Sequence, residues 1–451
     1  MYTSLPNPKI VYYPLYTLAG ALAPSANPFL VFYGFSVFST FFLVLVLTFI
    51  IQKLIHGFLP VLITVASIIF AGGLGFLVFP FLNSLDTTMT AATFHSAIQR
   101  PHEGIALACY ILALMAFYFS TETKTTKWKL ASVFSLMLTL ALYPYYILSF
   151  FAIAGLYIHW KFGWNWLPKH RQYASSLGLG AFGTVWLQYL NLHSNSSLSG
   201  VIGQQLSSPA VIPFVFSYGL LAIPFIFQLV KMRPITPIRF FLSIWIFVSL
   251  VFMFLPIGIA RFYLRGIFFP LVILAVLVIK YLLQKYFPAN LEKKLVIVLV
   301  YLFICVVPTT LTIFFRRINE TTKTNQWFYM TKNQYDALLF MGSTFPKQSA
   351  ILSDYYLGNL IPAFTDQRVY FGHFIQTPDV SNKQKQLTQF YAGEMNQDQV
   401  EQFLKVNKIT YVYWGTEEVK RSAAHGKVSQ FPYHFLREVY KNPSVSIFQL
   451  P

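Results

Sequence analysis

The stretch AGGLGFLVFPFLNSLDTTMTAATFHSAIQRPHEG, residues 71–104, places a polar loop with two carboxylates between long apolar runs. The two carboxylates are Asp86 and Glu103. Burying a carboxylate near hydrocarbon is costly unless it is paired or hydrogen-bonded, so the few acidic residues of an apolar region are candidates for function. Residues 1–315 contain only four, and the other two are Glu122 and Glu292. This stretch is therefore the first place to expect a functional site.

The composition is that of a membrane protein with many spans. Of the 451 residues, 56% are hydrophobic and only 11% are charged, whereas about a quarter are charged in ordinary soluble domains. The net charge of +18 raises the question of nucleic acid, but residues 1–315 carry 18 Lys and Arg against 4 Asp and Glu, mostly in short loops between apolar runs. That distribution follows the positive-inside rule and argues against a nucleic-acid-binding surface.

The apolar runs predict about ten membrane segments with both chain ends outside. They lie at residues 28–55, 59–82, 102–120, 130–160, 172–190, 212–230, 238–257, 266–284 and 295–315, with two segments in the fourth run. The run 130–160 is too short for two full spans of about 20 residues each. Its Tyr143-Pro144-Tyr145-Tyr146 motif predicts a break between two short helices, because proline disfavours helix in the preceding residue. Such a break is tolerated at membrane depth where it is buried or lines a wet cavity.

Three regions follow along the chain. Residues 1–27 are predicted to be an extracytoplasmic N-terminal loop, residues 28–315 a transmembrane domain, and residues 316–451 a small soluble α/β domain outside the cytoplasm. The strand candidates of the last region are residues 350–353, 368–371, 410–414 and 445–449, and its helical patterns lie at 382–392 and 398–407.

Two interpretations are open for each acidic loop residue. Asp86 either caps a nearby helix or serves as a carboxylate that binds a divalent metal ion or accepts a proton from an acceptor. Glu103 follows Pro101 and His102 at a helix start, where the helix dipole favours negative charge, so it either caps this helix or is a catalytic residue. His102 is a candidate catalytic residue, although a hydrogen-bonded histidine at a helix end explains it more simply, because it has no zinc-ligand spacing.

Four cations depart from the positive-inside pattern, and three of them are candidates for substrate binding: Arg100, Arg261 and Arg265. Arg261 and Arg265 are four residues apart and would share one face of a helix. They are either interfacial anchors or contacts for the phosphate of a lipid-linked substrate. Tyr143, Tyr145 and Tyr146 belong either to such a binding site or to an aromatic belt at the membrane interface.

The order of motifs resembles the type C glycosyltransferases (GT-C), polytopic enzymes that use polyprenyl-phosphate-linked sugars. The matching stretches begin at the following residues: YYPLYTLAG at 12, GGLG at 72, RPHEG at 100, YPYY at 143, RFYLRGIFFPL at 261, SDYYLGNLIPAFTDQRVYFGHFIQT at 353, ITYVYWGTEE at 409 and SVSIFQL at 444. In that family an acidic residue in the first extracytoplasmic loop is the expected base, and it follows a first transmembrane helix. The present sequence shows neither before Asp86, which predicts that residues 1–27 are a truncated first loop.

The resemblance implies a membrane glycosyltransferase of the plasma (inner) membrane and cell envelope. It would move a sugar from a polyprenyl-phosphate donor to an extracytoplasmic glycan, lipid or protein acceptor, with inversion at the anomeric carbon. Asp86 would correspond to the acidic position of the second extracytoplasmic loop. Two alternatives remain open: a catalytically inactive scaffold, which the missing first-loop acid favours, and a lipid or polymer transporter, for which charged residues along several spans are expected.

Overall fold

A computed structural model of the chain describes residues 4, 13–23, 27–78, 81, 93–193, 211–232, 235–255, 259–322, 325–327, 329–374, 376–424 and 430–451. The predicted catalytic residue Asp86 lies outside these described residues. The chain divides into two compact units. One is built from Val11–Leu190 and Gln205–Arg316, and the other chiefly from Arg317–Pro451.

The first unit is helical. Its described helices are α1 (Pro14–Leu22), α2 (Pro28–Ile51), α3 (Phe58–Ile69), α4 (Gly75–Val78), α5 (Thr93–Gln99), α6 (Pro101–Thr123), α7 (Thr126–Leu142), α8 (Tyr146–Phe162), α9 (Trp166–Lys169), α10 (Arg171–His193), α11 (Val211–Lys231), α12 (Pro237–Phe254), α13 (Phe268–Tyr286), α14 (Leu291–Val306) and α15 (Pro308–Glu320). Short 3-10 helices lie at Gly163–Asn165 and Ala260–Leu264.

Five segments of the described chain are long and apolar enough to cross a membrane: Phe29–Ile51, Pro101–Thr123, Val211–Lys231, Pro237–Phe254 and Ala260–Tyr286. A sixth results if α14 and α15, which are bent by 43° at Val307, form one span. The protein is therefore an integral membrane protein. The number of ten segments remains a prediction, because helices such as α3 and α8 are shorter than the roughly 20 residues of a full span.

Helix α6 is the central helix of the first unit. It packs against α2, α5, α7 and α8, and nearly all of its residues are buried, as expected for a helix that is hydrophobic on all sides. Gly104 permits α2 to lie close to α6, because a Cβ at this position would lie 2.3 Å from Ser39 Oγ. The Ser39 hydroxyl donates a hydrogen bond of 2.7 Å to the carbonyl oxygen of Pro101, so α2 is held at the start of α6.

The predicted break in the run 130–160 is confirmed. Helix α7 ends at Leu142 and α8 begins at Tyr146. The Tyr143 amide still bonds to Thr139 O at 2.8 Å, and the Tyr146 amide bonds to Tyr143 O at 3.2 Å. Pro144 lacks an amide hydrogen and ends the helical ladder between them. Three consecutive residues, two of them tyrosines, thus cross the gap outside a helix.

The segment 1–27, predicted as a loop, contains the helix α1. Pro14 occupies the first turn of α1, where the missing amide hydrogen has no cost. The following residues include Leu15, Ala19 and Ala21, which favour helix. The many Pro and Tyr residues around this short stretch obscured that signal.

The second unit contains a five-stranded mixed sheet with the order β2-β1-β3-β5-β4. Its strands are β1 (Ala350–Leu352), β2 (Arg368–Val369), β3 (Tyr411–Trp414), β4 (Arg437–Asn442) and β5 (Val445–Gln449), and its helices are α16 (Lys332–Thr344), α17 (Tyr355–Phe364), α18 (Val380–Tyr391), α19 (Gln397–Val406) and α20 (Thr416–Ala423). β1 pairs in parallel with β2 and β3, and β5 pairs antiparallel with β3 and β4. The four predicted strands and the α/β character are confirmed, and β4 is an additional strand.

Candidate functional site

Glu103 and Arg265 form a buried ion pair at the start of α6. The Arg265 guanidinium donates from Nη2 to Glu103 Oε1 at 2.8 Å, and the two side chains are only 7% and 4% exposed. The same carboxylate oxygen accepts from Arg100 Nη1 at 3.0 Å. Glu103 lies in the first turn of α6 behind Pro101, as predicted. Two guanidinium groups thus share one carboxylate. The three side chains together carry one net positive charge.

The Arg265 side chain connects this pair to the helix break. Its Nη1 donates to the Tyr145 hydroxyl at 3.0 Å. Its guanidinium carbon lies 4.1 Å from the centre of the Phe262 ring and 5.2 Å from that of Tyr143. A planar fork can serve a carboxylate, a hydroxyl and an aromatic face at the same time, which a lysine ammonium cannot do in the same geometry.

The predicted pairing of Arg261 with Arg265 on one helical face is wrong. Arg261 lies in the 3-10 helix Ala260–Leu264, and Arg265 is the extended residue that ends it. With about three residues per turn, positions four apart point in different directions. Arg265 is engaged by Glu103, whereas Arg261 makes no ion pair within the described part of the chain, and its Nε is buried without a hydrogen-bond partner.

His102 is held by residues of the N-terminal helix. Its Nδ1 shares a hydrogen bond of 2.7 Å with the Tyr16 hydroxyl. The ring centre of Tyr13 lies 4.6 Å away and that of Tyr143 lies 5.9 Å away. The interpretation of His102 as a hydrogen-bonded histidine at a helix end is confirmed, and its catalytic role remains a prediction.

The three tyrosines at the break have different environments. Tyr145 accepts the Arg265 hydrogen bond, and its carbonyl oxygen accepts from the Tyr263 hydroxyl at 3.1 Å. Tyr146 is buried and stacks on Tyr110 with a centroid distance of 4.2 Å. Tyr143 lies between His102 and Arg265. The break therefore joins the two predicted groups of site residues into one cluster of aromatic rings and cations.

Three contributors were not predicted as site residues: Tyr13, Tyr16 and Phe262. The sequence signal for the first two is the aromatic density of YYPLY, and for the third it is the position of an aromatic residue between two arginines in RFYLR. Within the described residues, no group of three or more His, Cys, Asp or Glu side chains is arranged to hold a metal ion.

The chain is similar in structure to solved proteins. A scan against models of protein families finds no match, and no curated protein matches. The archaeal oligosaccharyltransferase AglB from Archaeoglobus fulgidus, in complex with an inhibitory peptide and a dolichol-phosphate, matches with a TM-score of 0.51 and 11% sequence identity over 97% of this chain. The apo form of the A. fulgidus oligosaccharyltransferase matches with a TM-score of 0.53 and 12% identity over 100% of this chain. The chain shares the fold of these enzymes.

The likeness is one of fold, because the identity is so low. AglB is a GT-C type enzyme, so the predicted resemblance to the type C glycosyltransferases is confirmed at the level of fold. The chain spans 65% of the length of the AglB chain and 68% of the apo enzyme.

Proposed function

We propose that the protein is a membrane glycosyltransferase that moves a sugar from a polyprenyl-phosphate donor to an acceptor outside the cytoplasm. The observation that carries the proposal is the cationic and aromatic cluster around Glu103 and Arg265, in a chain with an oligosaccharyltransferase fold. One of the similar solved enzymes holds a dolichol-phosphate, which belongs to the same chemical class as the proposed donor.

The arginines have a role in this reaction. As the acceptor attacks the anomeric carbon, the bond between that carbon and the phosphate oxygen breaks, and negative charge grows on the departing lipid phosphate. Cations held in place before the reaction stabilise such charge without reorganisation. The net positive charge of Arg100, Glu103 and Arg265, together with Arg261, suits this purpose.

Glu103 is proposed as the counter-ion that positions Arg265. Its Oε1 atom accepts from both guanidinium groups and so holds the Arg265 fork in place. Asp86 is proposed as the residue that takes the proton of the acceptor, from its place in the polar loop of residues 71–104. A divalent ion at this loop stays part of the proposal. The acceptor class, whether glycan, lipid or protein, remains open.

The first test is lipid-phosphate binding by the purified full chain in nanodiscs. Dolichyl phosphate should bind at least about tenfold more tightly than dolichol, because a charge-assisted contact contributes about 1.5–3 kcal/mol. Arg261→Lys should weaken this preference if the contact uses the guanidinium fork, and Lys285→Arg serves as a control outside the site. Equal binding of the phosphate and the alcohol would remove the proposed donor site.

The second test is transfer itself. Polyprenyl-phosphate sugars are incubated with peptide, glycan and lipid acceptors, and the released polyprenyl phosphate and the product are followed by mass spectrometry. Asp86→Asn should reduce turnover by about ten- to a hundred-fold at an unchanged melting temperature. Donor binding without turnover for any acceptor would favour the inactive scaffold instead.

A further inference from the structure

A basic cavity lies at the opposite end of α6 from Glu103. It has a volume of about 390 Å³ and opens between the start of α7, the end of α9 and the start of α10. Its lining includes Lys129, Lys169, His170 and Arg171, and none of the described residues that line it is acidic. Ser120, near the end of α6, donates to the Tyr173 hydroxyl at 3.2 Å on the floor of this cavity. Glu103 and Ser120 are 17 positions apart on α6, about 26 Å along its axis.

Aromatic rings contact two of the basic residues that line the cavity. Trp166 is buried, and its ring centre lies 5.0 Å from that of His170. Tyr173 is also buried, and Lys129 Nζ lies 5.8 Å from the centre of its ring. Burial, followed by the charges of Lys129, Lys124 and Lys169, lowers the pKa of His170. Lys129, Lys169 and Arg171 are thus the cations that line this concave surface.

The cavity continues into an apolar surface. Leu130 lines its edge, and Phe134 and Leu138 follow at intervals of four residues on α7, so the three lie along one side of the helix. All three are more than half exposed. On α10, Leu179 and Phe182 are similarly exposed. An occupant that fits both parts has a negative head and an apolar tail.

We propose that this cavity binds the phosphate headgroup of an anionic membrane phospholipid, with its acyl chains along the exposed side of α7. Guanidinium and ammonium groups are strong partners for phosphate oxygens. The first amide groups of α10, which begins at Arg171, add the positive end of a helix dipole. The positive-inside rule accounts for lysines in this loop, but it does not require Lys129, Lys169 and Arg171 to converge on one cavity.

The test compares lipids on the purified full chain by native mass spectrometry, with phosphatidylglycerol as the anionic probe and phosphatidylcholine as the neutral one. Wild type should bind phosphatidylglycerol more tightly than phosphatidylcholine. The triple variant Lys129→Gln/Lys169→Gln/Arg171→Gln should weaken phosphatidylglycerol binding by about tenfold or more. The matched control Lys280→Gln/Lys285→Gln/Lys294→Gln removes the same charge from elsewhere and should bind as wild type.

Three results would overturn the proposal. Equal affinity of wild type for the two lipids needs no variant and excludes headgroup recognition. An equal loss in the control triple variant means that only the overall charge matters. The third result concerns the source of the phosphate: if sn-glycerol 3-phosphate or inorganic phosphate displaces phosphatidylglycerol at comparable concentrations, the cavity is a site for soluble phosphate and the lipid is not its ligand.

Discussion

Glu103 illustrates how one buried carboxylate organises its surroundings. Its Oε1 atom accepts from both Arg100 and Arg265, and its Oε2 atom is buried without a hydrogen-bond partner within the described residues. Transfer of charges from water to the interior is costly, and only good geometry and further hydrogen bonds offset the cost. Arg265 donates a further hydrogen bond to the Tyr145 hydroxyl, and its guanidinium contacts two aromatic rings. The pair therefore requires both partners to be present.

Removing one partner should destabilise the first unit strongly. Glu103→Gln leaves the Arg265 charge buried without its counter-ion, at a cost of about 3–5 kcal/mol. Arg100→Gln is the control: the Arg100 side chain is 45% exposed, so its loss should cost less than about 1 kcal/mol. The measurement is thermal unfolding of the purified chain. The double variant Glu103→Gln/Arg265→Met should recover part of the lost stability. A loss equal to the sum of the losses in Glu103→Gln and Arg265→Met would contradict the pairing.

A lysine in the second unit should make stability depend on pH. Burial lowers the pKa of Lys383 to about 8 from its ordinary 10.5, and its Nζ donates to Tyr370 O at 3.2 Å. Between pH 8 and 10.5 the unfolded chain binds more protons at this group than the folded chain, so this group's contribution to stability increases with pH across that window. Lys383→Met lacks this contribution. The melting temperature of wild type should therefore rise relative to that of Lys383→Met between pH 7 and pH 10. The exposed Lys385→Met should follow wild type at every pH.

At the scale of elements, the contact of α2 with α6 depends on a missing side chain. Gly104→Ala places a Cβ 2.3 Å from Ser39 Oγ and 3.0 Å from Ala97, so either the Ser39 side chain rotates and loses its hydrogen bond to Pro101 O, or α2 or α5 shifts. Overpacking of this kind costs about 1–3 kcal/mol. Thermal unfolding should show the loss, and Ser39→Ala in the same chain should relieve part of it. Gly155→Ala is the matched control, since nothing lies within 4 Å of a Cβ there. A Gly104→Ala variant as stable as this control would rule out the close approach.

Helices and strands were predicted where the local sequence pattern is strong. Pro144 marked the break between α7 and α8, and runs such as Tyr411–Trp414 marked strands by their β-branched and aromatic residues. β4, Arg437–Asn442, was missed because it is mostly polar and pairs on one side only, with β5. The 3-10 helix at Ala260–Leu264 was missed because its sequence continues into the apolar run of α13.

Most members of the candidate site were predicted, but the contacts between them were not. Arg100, Glu103 and Arg265 were each identifiable as charges out of place in an apolar region. That Glu103 meets Arg265 depends on packing between segments far apart in the chain, and no local periodicity reports such a contact. For the same reason the partnership of His102 with Tyr16 was not predicted.

At the scale of the whole molecule, the orientation in the membrane is open to a direct test. The positive-inside pattern places the loop with Lys124 in the cytoplasm and residues 316–451 outside. In a chain with Cys109 and Cys305 replaced by Ala, Lys347→Cys should react with a membrane-impermeant thiol reagent in intact cells, since the Lys347 side chain is 84% exposed. Lys124→Cys should react only after the membrane is opened. The reverse order of labelling would invert the topology.

The pair of Glu103 and Arg265 also bears on how the chain is made. The two residues are 162 positions apart, and at 5–20 residues per second a ribosome needs roughly 8–30 s to reach the second after the first. Arg100 stands three residues before Glu103, is synthesised first, and in the folded chain contacts the same oxygen. Arg100 is thus available as a temporary counter-ion during synthesis. Arg265 then completes the pair once the later helices have been inserted.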